Sequence, residues 1–444
     1  MSISKKLPKG AVAWAFYDWA NTGYAMIGLA LIFPRLYKSY WGASLSPDKQ
    51  TFWFTMTVAV ASLLVAVLAP VLGSVAELGG LRKRLLLRFA ILGIIACATM
   101  TFVGEGLYLI ASIVYIFGTV SFYCANIFFD SMLEVVSTKK NRHFISGFGF
   151  SFGYTAGFII LLVVSLVVAN HEDLGFDSTL KASKALFAFA AIWWAVFTIP
   201  LIFRIKEAPK KDRPPVFSMA RSGILETWHT FKDILQQRHI LMFLAAYLFY
   251  IDGVNTIITT ASNYGTTIGF SEKQIISAFF IVQVMGVPFA LIFGFFGQKF
   301  GPRRLIFVAI IVYLGVTAYG STITPEPVVI LGFKLSQMFV LAALIGMCQG
   351  GVQALSRSYF TSIIPPGKNV AYFGFYSMIG KSAAVLGPAL MGTTALIFND
   401  PEDPLLSTRL GLGSISILFI IGAIFLTKAK PAAEAEKLAR KFDN

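Results

Sequence analysis

The dominant pattern along the chain is a series of long apolar runs separated by short polar intervals. Stretches such as "FWFTMTVAVASLLVAVLAPVLG" from Phe52 and "GFGFSFGYTAGFIILLVVSLVVA" from Gly147 recur over the whole length, and twelve can be counted. Each holds about the ~20 residues that cross a bilayer as a helix. The pattern predicts an all-α integral membrane protein with twelve transmembrane helices. The longest polar interval, from Arg204 to His239, divides six runs from six. Its first part is rich in Pro and Lys and reads as an extended linker. From Val216 to Leu235, the residues Phe217, Ile224, Trp228, Phe231 and Leu235 recur at helical spacing with charges between them. That spacing predicts an amphipathic helix lying on the cytoplasmic surface. The expected organisation is a six-helix bundle over 1–205, a linker with its surface helix over 206–238, a second six-helix bundle over 239–428 and a tail over 429–444.

Composition agrees: 56 % of the 444 residues are hydrophobic and 13 % charged, too apolar for a soluble globule. A formal net charge of +15 invites a nucleic-acid partner, but the placement of the charges points elsewhere. Of the 37 Lys and Arg, 28 fall in alternate intervals, among them "RKRLLLR" (82–88), "KKNRH" (139–143), "KFGPRR" (299–304) and the C-terminal tail. The remaining intervals carry seven, beside ten acids that include Glu172, Asp173, Glu326, Asp400, Glu402 and Asp403. This is the positive-inside bias, and it sets both termini in the cytoplasm. Lys5, Lys6 and Lys9 precede the first run without a small-residue cleavage site, so that run is read as a retained span. Cys97, Cys124 and Cys348 stand singly in apolar runs, and His143, His171, His229 and His239 fall in loops or at span ends. No metal site, disulfide or nucleophile–base pair is expected from that spacing, and no cofactor.

The two halves repeat each other at two places. After span 2 stand Gly73, Glu77, Gly80 and Arg82; after span 8 stand Gly294, Gln298, Gly301 and Arg303 at the same offsets. "DWANT" (18–22) in span 1 matches "DGVNT" (252–256) in span 7, with Asp, Asn and Thr in register. A duplicated six-span bundle follows, the halves related by a pseudo-two-fold axis along the membrane normal.

The loop after span 2 resembles the signature of the major facilitator superfamily, Gly-x-x-x-Asp-Arg-x-Gly-Arg-Arg/Lys. Gly73, Glu77, Gly80, Arg82 and Lys83 stand in its place, with Glu77 for the aspartate and Leu78 for the arginine that follows it. The second copy departs further, with Gln298 for the acid. The resemblance implies that both loops form a cytoplasmic gating motif. A plain topogenic role is the preferred reading for Arg84 and Arg88. A closer likeness rests on "AWAFYDWANTGYA" near the start, "GFGFSFGYTAG" in span 5, "GMCQGGVQALSRSYFTSIIP" ending span 10 and "YFGFYSMIGKSAAVLGPALMG" in span 11. These resemble the branch that includes bacterial facilitators of unassigned function and the yeast autophagy-related vacuolar amino-acid effluxers. That implies a bacterial cytoplasmic (inner) membrane protein and an amino-acid-like solute.

A carboxylate at mid-membrane depth costs at least ~2.5 kcal/mol and normally faces a partner or an aqueous cavity. Asp18 and Asn21 lie one turn apart on span 1, as do Asp252 and Asn255 on span 7. By the resemblance, spans 1, 4, 7 and 10 line the central cavity. Asp18 and Asp252 are the proton-coupling candidates, since a partly buried carboxylate takes up and releases protons near neutral pH; for Asp18 a purely structural role stays open. Asn126, Asp130 and Glu134 form a stripe on span 4, with Glu134 read as an end charge. Lys381, in the middle of span 11, is expected to meet an acid, and Asp252 is the partner named; Lys334 is read as a snorkelling residue two turns inside span 10. The substrate-binding candidates are Asn21, Tyr24, Asn126, Asp130, Asn255, Gln337 and Lys381. Tyr17, Tyr24, Phe128 and Tyr250 are weighed as an aromatic wall, with plain packing the bland account.

The reading is a secondary transporter, not an enzyme, for a small polar or zwitterionic solute. It works by alternating access, coupled to protons, and is sufficient as a monomer in the lipid bilayer. No Gly-x-x-x-x-Gly-Lys-Ser/Thr loop for a nucleotide is present. Two rival readings are a transporter of an amphiphile, lipid or drug-like compound, and a non-transporting sensor on the same fold.

Overall fold

The computed structural model describes residues 7–8, 10–207, 216–330, 332–383, 385–398 and 403–429. Lys5, Lys6 and Lys9, the Pro/Lys-rich linker over 208–215, the side chain of Phe217, Asp400, Glu402 and the tail beyond 429 lie outside the described residues.

The apolar runs are helical. α1 (Ala11–Tyr24) continues through a π-helical stretch (Ala25–Leu31), α2 (Ile32–Leu36) and a second π-helical stretch (Tyr37–Trp41). Then follow α3 (Pro47–Gly79), α4 (Arg82–Met100), α5 (Tyr108–Ser131), the short α6 (Leu133–Val136), α7 (Arg142–Ala169) and α8 (Thr179–Arg204). After α9 (Val216–Gln236) come α10 (Arg238–Ile268), α11 (Glu272–Phe300) and α12 (Pro302–Gly320). Local sequence sets the boundaries. Pro47 opens α3 and Gly80, at φ 57° in the left-handed region, closes it. Ser271 and Gln274 form a reciprocal capping box at the start of α11. Among the described residues nine helices are long and apolar enough to cross a membrane, which makes the chain an integral membrane protein.

A two-stranded antiparallel hairpin interrupts the helices. β1 (Pro327–Ile330) pairs with β2 (Phe333–Ser336) in the register Val328↔Leu335 and Val329↔Lys334. β-branched Val328, Val329 and Ile330 favour the strand, and Gly332 at φ 83° supplies the turn. This corrects the all-helical expectation locally, because Lys334 stands exposed on β2 and not two turns inside a helix. α13 (Gln337–Ile363), α14 (Asn369–Ser382), α15 (Leu386–Ile397), α16 (Pro404–Ser414) and α17 (Ser416–Lys428) complete the chain.

The chain divides into two compact units. The first comprises Met1–Thr138, Phe152–Thr227 and Pro366–Met378; the second comprises Lys139–Ser151, Trp228–Pro365 and Ile379–Asn444. In the first, α1 packs on α8, α4 on α5 and α8, and α3 on α5. Trp14 stacks on Phe129 at 4.6 Å between centroids and donates its indole N–H to that residue's carbonyl at 2.9 Å, tying α1 to α5. α9 docks on α3 through Gly223, seated against Val75, and through the Thr227 hydroxyl, which donates to the Ser74 hydroxyl at 3.0 Å. Its Ile224 and Trp228 are 62 % and 54 % exposed. In the second unit, α11 and α12 pack on α13, and α10 and α12 on α17.

Each unit contains the same contact. In the first, Gly73 of α3 faces the opening of α14, where an added Cβ would lie 2.5 Å from the Val370 carbonyl and 3.3 Å from the Gly374 Cα. In the second, Gly294 of α11 faces the opening of α7, where a Cβ would lie 3.0 Å from the His143 carbonyl and 3.3 Å from the Gly147 Cα. The residue one turn after each α3 or α11 glycine then caps the facing helix. Glu77 Oε2 accepts the Val370 amide at 2.6 Å, and Gln298 Oε1 accepts the His143 amide at 3.1 Å. Small residues let the backbones approach, and the approach brings an orphan amide within reach of a side chain.

The contact predicts matched costs. Gly374→Ala puts a methyl 2.5 Å from the Ala69 carbonyl, and Gly147→Ala puts one against the Ala290 carbonyl. Each is expected to destabilise by about 1–3 kcal/mol, as overpacking does. Gly315→Ala, with nothing within 4 Å of the new methyl, is expected to be neutral or to stabilise by up to about 1 kcal/mol. Thermal unfolding of the three purified variants checks this; equal Tm values for all three would refute the packing account.

Candidate functional site

The polar residues of the apolar helices gather into one cluster in each unit. In the first, α1 carries Asp18 and Asn21 on one face, and Asn21 is 4 % exposed. Its Nδ2 donates to Asn126 Oδ1 of α5 at 2.7 Å, so two of the sequence candidates are joined directly. Both are half-buried or buried between helices that pack through aromatics, where an unsatisfied carboxamide would be costly. Asn126 makes no other hydrogen bond among the described residues and keeps its amide donor in hand. The Asp18 carboxyl is half-buried against Gly153 of α7, where a Cβ would meet its Cγ at 3.7 Å. Thr22 donates to the Asp18 backbone carbonyl at 2.6 Å, not to the carboxylate. Asp130, half-buried, lies one turn along α5 from Asn126.

Tyr24 belongs to the packing. It is 2 % exposed, its hydroxyl meets the Thr119 hydroxyl at 3.2 Å, and its ring lies 5.6 Å from both Phe122 and Trp194. Tyr17, Phe128 and Tyr250 are likewise buried, Tyr250 with its hydroxyl 2.7 Å from that of Ser356. All four side chains are taken up in packing within their own units.

In the second unit, Asp252 of α10 is 0 % exposed. Its two carboxylate oxygens share the Gly387 amide at 3.1 Å each, and Oδ1 accepts the Thr256 hydroxyl at 3.2 Å. Gly387 is the second residue of α15, so the carboxylate caps a helix that starts inside an apolar run and meets the positive end of its dipole. Any Cβ at Gly387 would collide with the Thr256 hydroxyl and stand 2.9 Å from Asp252 Oδ1. Glycine is therefore required here by the approach of the cap. The expected Asp252–Lys381 pair is not formed. Lys381 stands half-buried at the penultimate position of α14, and the helix ends one residue later, which makes room for the amide that Asp252 takes instead. Asn255, one turn from Asp252, is half-buried, and its carboxamide makes no hydrogen bond among the described residues.

Gln337 sits elsewhere. As the first residue of α13 it accepts the Thr324 amide at 3.3 Å and donates to the Thr324 hydroxyl and the Glu326 carbonyl at 3.1 Å each. It fastens the loop before the hairpin and does not reach the depth expected of it. The motif residues make further polar contacts within each unit. Glu77 also faces Arg82 at 3.8 Å; Arg82 donates to the Ser131 carbonyl at 3.3 Å; and Lys83 Nζ donates at 2.6 Å to both the Ile202 and Ile205 carbonyls that end α8. Glu134 accepts the Asn369 carboxamide at the start of α14. In the other copy Gln298 also donates to the Lys139 carbonyl at 3.1 Å, Gly301 turns at φ 93°, and Arg303 follows in α12. Gly387, Thr256 and Asn369 escaped notice as site residues. The signal for the first was the Gly387–Pro388 pair interrupting span 11.

Among the described residues no group of His, Cys, Asp and Glu is arranged to hold a metal. The vacuole effluxer Atg22-like family model matches residues 48–430. An uncharacterized MFS-type transporter, YxiO, of Bacillus subtilis is 33 % identical over 431 residues, covering 96 % of this chain and 95 % of its own. Autophagy-related protein 22 of Pyricularia oryzae is 24 % identical, covering 82 % of this chain and 64 % of its own. Among solved structures, the MFS proton:xylose symporter XylE bound to 6-bromo-6-deoxy-D-glucose superposes with a TM-score of 0.65 at 14 % identity, covering 97 % of both chains, a likeness of fold. The chain belongs to the Atg22-like vacuole effluxer family of major facilitator transporters, and it is a secondary transporter, not an enzyme.

Proposed function

We propose that the protein moves a small polar or zwitterionic, amino-acid-like solute by proton-coupled alternating access. The setting is a bacterial cytoplasmic membrane, with both termini cytoplasmic and a monomer as the working unit. Twelve spans in two six-helix halves fit this reading. Beyond the nine uniformly apolar helices, three segments serve as spans with an evident reason for their irregularity. The first is broken by π-helical turns; α4 opens with Arg82, Lys83, Arg84 and Arg88; and the eleventh is divided between α14 and α15. The repeated Gly73–Glu77 and Gly294–Gln298 contacts support a duplicated architecture, and the printed family description, vacuole effluxer, supports carriage of a solute across a membrane.

The observation that carries the proposal is the buried cap of Asp252 on α15. Ionised, the carboxylate accepts the Gly387 amide and is stabilised by the helix dipole. Protonated, it loses the charge that makes that bond strong, and α15 is released to move against α10. Proton loading and helix movement are thereby one event, which is what coupling requires. Asn255 and Asn126, with unused donors or acceptors, are the groups offered to the solute. Asp18, half-buried beside Gly153, is the second titrating candidate.

Two measurements test this. In proteoliposomes under an imposed pH gradient, the wild-type protein is expected to accumulate an amino acid and to lose the accumulation on addition of a protonophore. Asp252→Asn is expected to lower accumulation at least about tenfold, since a hydrogen bond to a charged group is worth ~1.5–3 kcal/mol, while counterflow exchange persists. Undiminished accumulation in Asp252→Asn would remove that residue from coupling. For the carboxamide pair, Asn21→Ala and Asn126→Ala are each expected to raise KM, and the double variant to raise it by less than the product of the two. Strictly multiplicative effects would show that the pair does not act as a unit on the solute.

A further inference from the structure

Along α3 one row of side chains can be followed by its exposure. Met56, Val60, Leu63 and Val67 recur at helical spacing and are all exposed, Leu63 and Val67 by 65 % and 61 %. A row on a spanning helix that holds no polar member faces acyl chains, because a water-filled path would be lined with polar groups. The same row continues to Pro70 and Ser74, three and seven residues beyond Val67, yet both are buried, Ser74 completely. What covers them is α9. The Thr227 hydroxyl lies 3.0 Å from the Ser74 hydroxyl and 3.4 Å from the Pro70 carbonyl, and Gly223 sits so close to Val75 that an added Cβ would stand 2.4 Å from its Cγ2. This contact begins less than about three turns before α3 ends at Gly79. α9 therefore rests on the lipid-facing flank of a span.

Around its own axis α9 presents three stripes in succession. The docked face begins with Gly223 and Thr227 and runs on through Thr230 and Ile234, both buried. One position after each of these stand Ile224, Trp228, Phe231 and Leu235, which are exposed and wholly apolar. One position further stand Leu225, His229, Lys232 and Gln236, also exposed and polar in three of four places. The apolar stripe thus lies between the docked face and the polar one. Trp228 stacks on Phe231 at 5.6 Å between centroids, and Lys232 Nζ lies 5.2 Å from the Trp228 ring centre. Indole rings favour the headgroup level of a bilayer, and a lysine beside them keeps its stem in apolar surroundings and its ammonium in water.

We infer that α9 is an interfacial membrane helix: it lies against the flank of α3 and buries Ile224, Trp228, Phe231 and Leu235 in the headgroup–acyl boundary of the leaflet where α3 ends. The occupant is the bilayer itself, because the exposed stripe continues a lipid-facing row of α3 without a polar break. The order of the three faces fits the same occupant. A helix in the plane of a membrane boundary, set against a span, needs one face for protein, the next for hydrocarbon and the last for water.

The test uses the full-length protein in vesicles of phosphatidylcholine and phosphatidylglycerol, without solute, spin-labelled at Ile224→Cys, Leu235→Cys or His229→Cys. The unsubstituted chain, whose Cys97, Cys124 and Cys348 are buried, is the labelling blank. Collisions of the label with oxygen, which concentrates in hydrocarbon, are compared with collisions with a water-soluble nickel chelate. The oxygen-to-chelate ratio at Ile224→Cys and at Leu235→Cys is expected to exceed that at His229→Cys at least about threefold, since a strongly hydrated complex is excluded from hydrocarbon. Equal ratios at the three positions put the stripe in water and overturn the proposal. Low collision with both reagents at Ile224→Cys and Leu235→Cys overturns it too, in favour of a protein covering the stripe, a second copy of the chain if native mass spectrometry finds dimers. Should one of those two variants fail to fold, the other still decides against His229→Cys. Because no transport is read, failure here leaves the transport reading untouched.

Discussion

The first amides of a helix have no partner within the helix itself, and much of this structure is arranged around satisfying them. Three such starts are met in the same way, by a side chain from another helix. Glu77 takes the Val370 amide of α14, Gln298 the His143 amide of α7, and Asp252 the Gly387 amide of α15. Each requires a close backbone approach, and each has glycine where the helices touch. A buried backbone amide left unpaired costs about 1–3 kcal/mol, so these caps are conditions of the fold before they are devices of function. A cap that is also a titratable group makes the fold conditional on a proton.

The two copies of the motif show how one scaffold is given different chemistry. Glu77 and Glu134 place two carboxylates at the opening of α14. At the opening of α7 the corresponding acceptors are the neutral Gln298 and the Thr361 carbonyl, the latter bonded by Arg142 at 3.2 Å. Arg357, one turn before Thr361, donates to the Ser146 hydroxyl and carbonyl at 3.0 and 3.1 Å; Asp130 holds the matching place one turn before Glu134. The capping acid of the first copy is a neutral carboxamide in the second. The Glu77–Val370 bond is thus charge-assisted, where its Gln298–His143 counterpart is neutral.

Much of this was legible in the residues. The duplicated Gly73–Glu77 and Gly294–Gln298 spacing singled out the residues that form both caps, because a close approach leaves a glycine at a fixed interval from its capping side chain. The match of "DWANT" with "DGVNT" singled out Asp18 and Asp252. What escaped was the identity of partners. A carboxylate and a lysine in neighbouring apolar runs invite pairing, yet the free amide of a broken helix outcompeted Lys381 for Asp252, and no periodicity announces a broken helix beyond its Gly-Pro pair. Gln337 and Lys334 were placed in a helix because Val328, Val329 and Ile330 prolong the apolar run; β-branching and Gly332 turned that stretch into a hairpin instead.

The divergence between Asp18 and Asp252 follows from the same competition. Both sit one turn before a threonine in matching frames, but their neighbours differ. Asp18 faces Gly153 within the continuous α7, whose backbone amides are bonded along the helix. Asp252 faces Gly387 at the start of α15, where an amide is unclaimed until the carboxylate arrives. An acid in the first setting keeps its Thr22 turned to the backbone; in the second, Thr256 turns to the carboxylate and completes its shell. The break between α14 and α15 is therefore what distinguishes the two acids. A chain that carried the same Asp-x-x-Asn-Thr frame opposite an unbroken helix would find no helix-opening amide there for its carboxylate to cap.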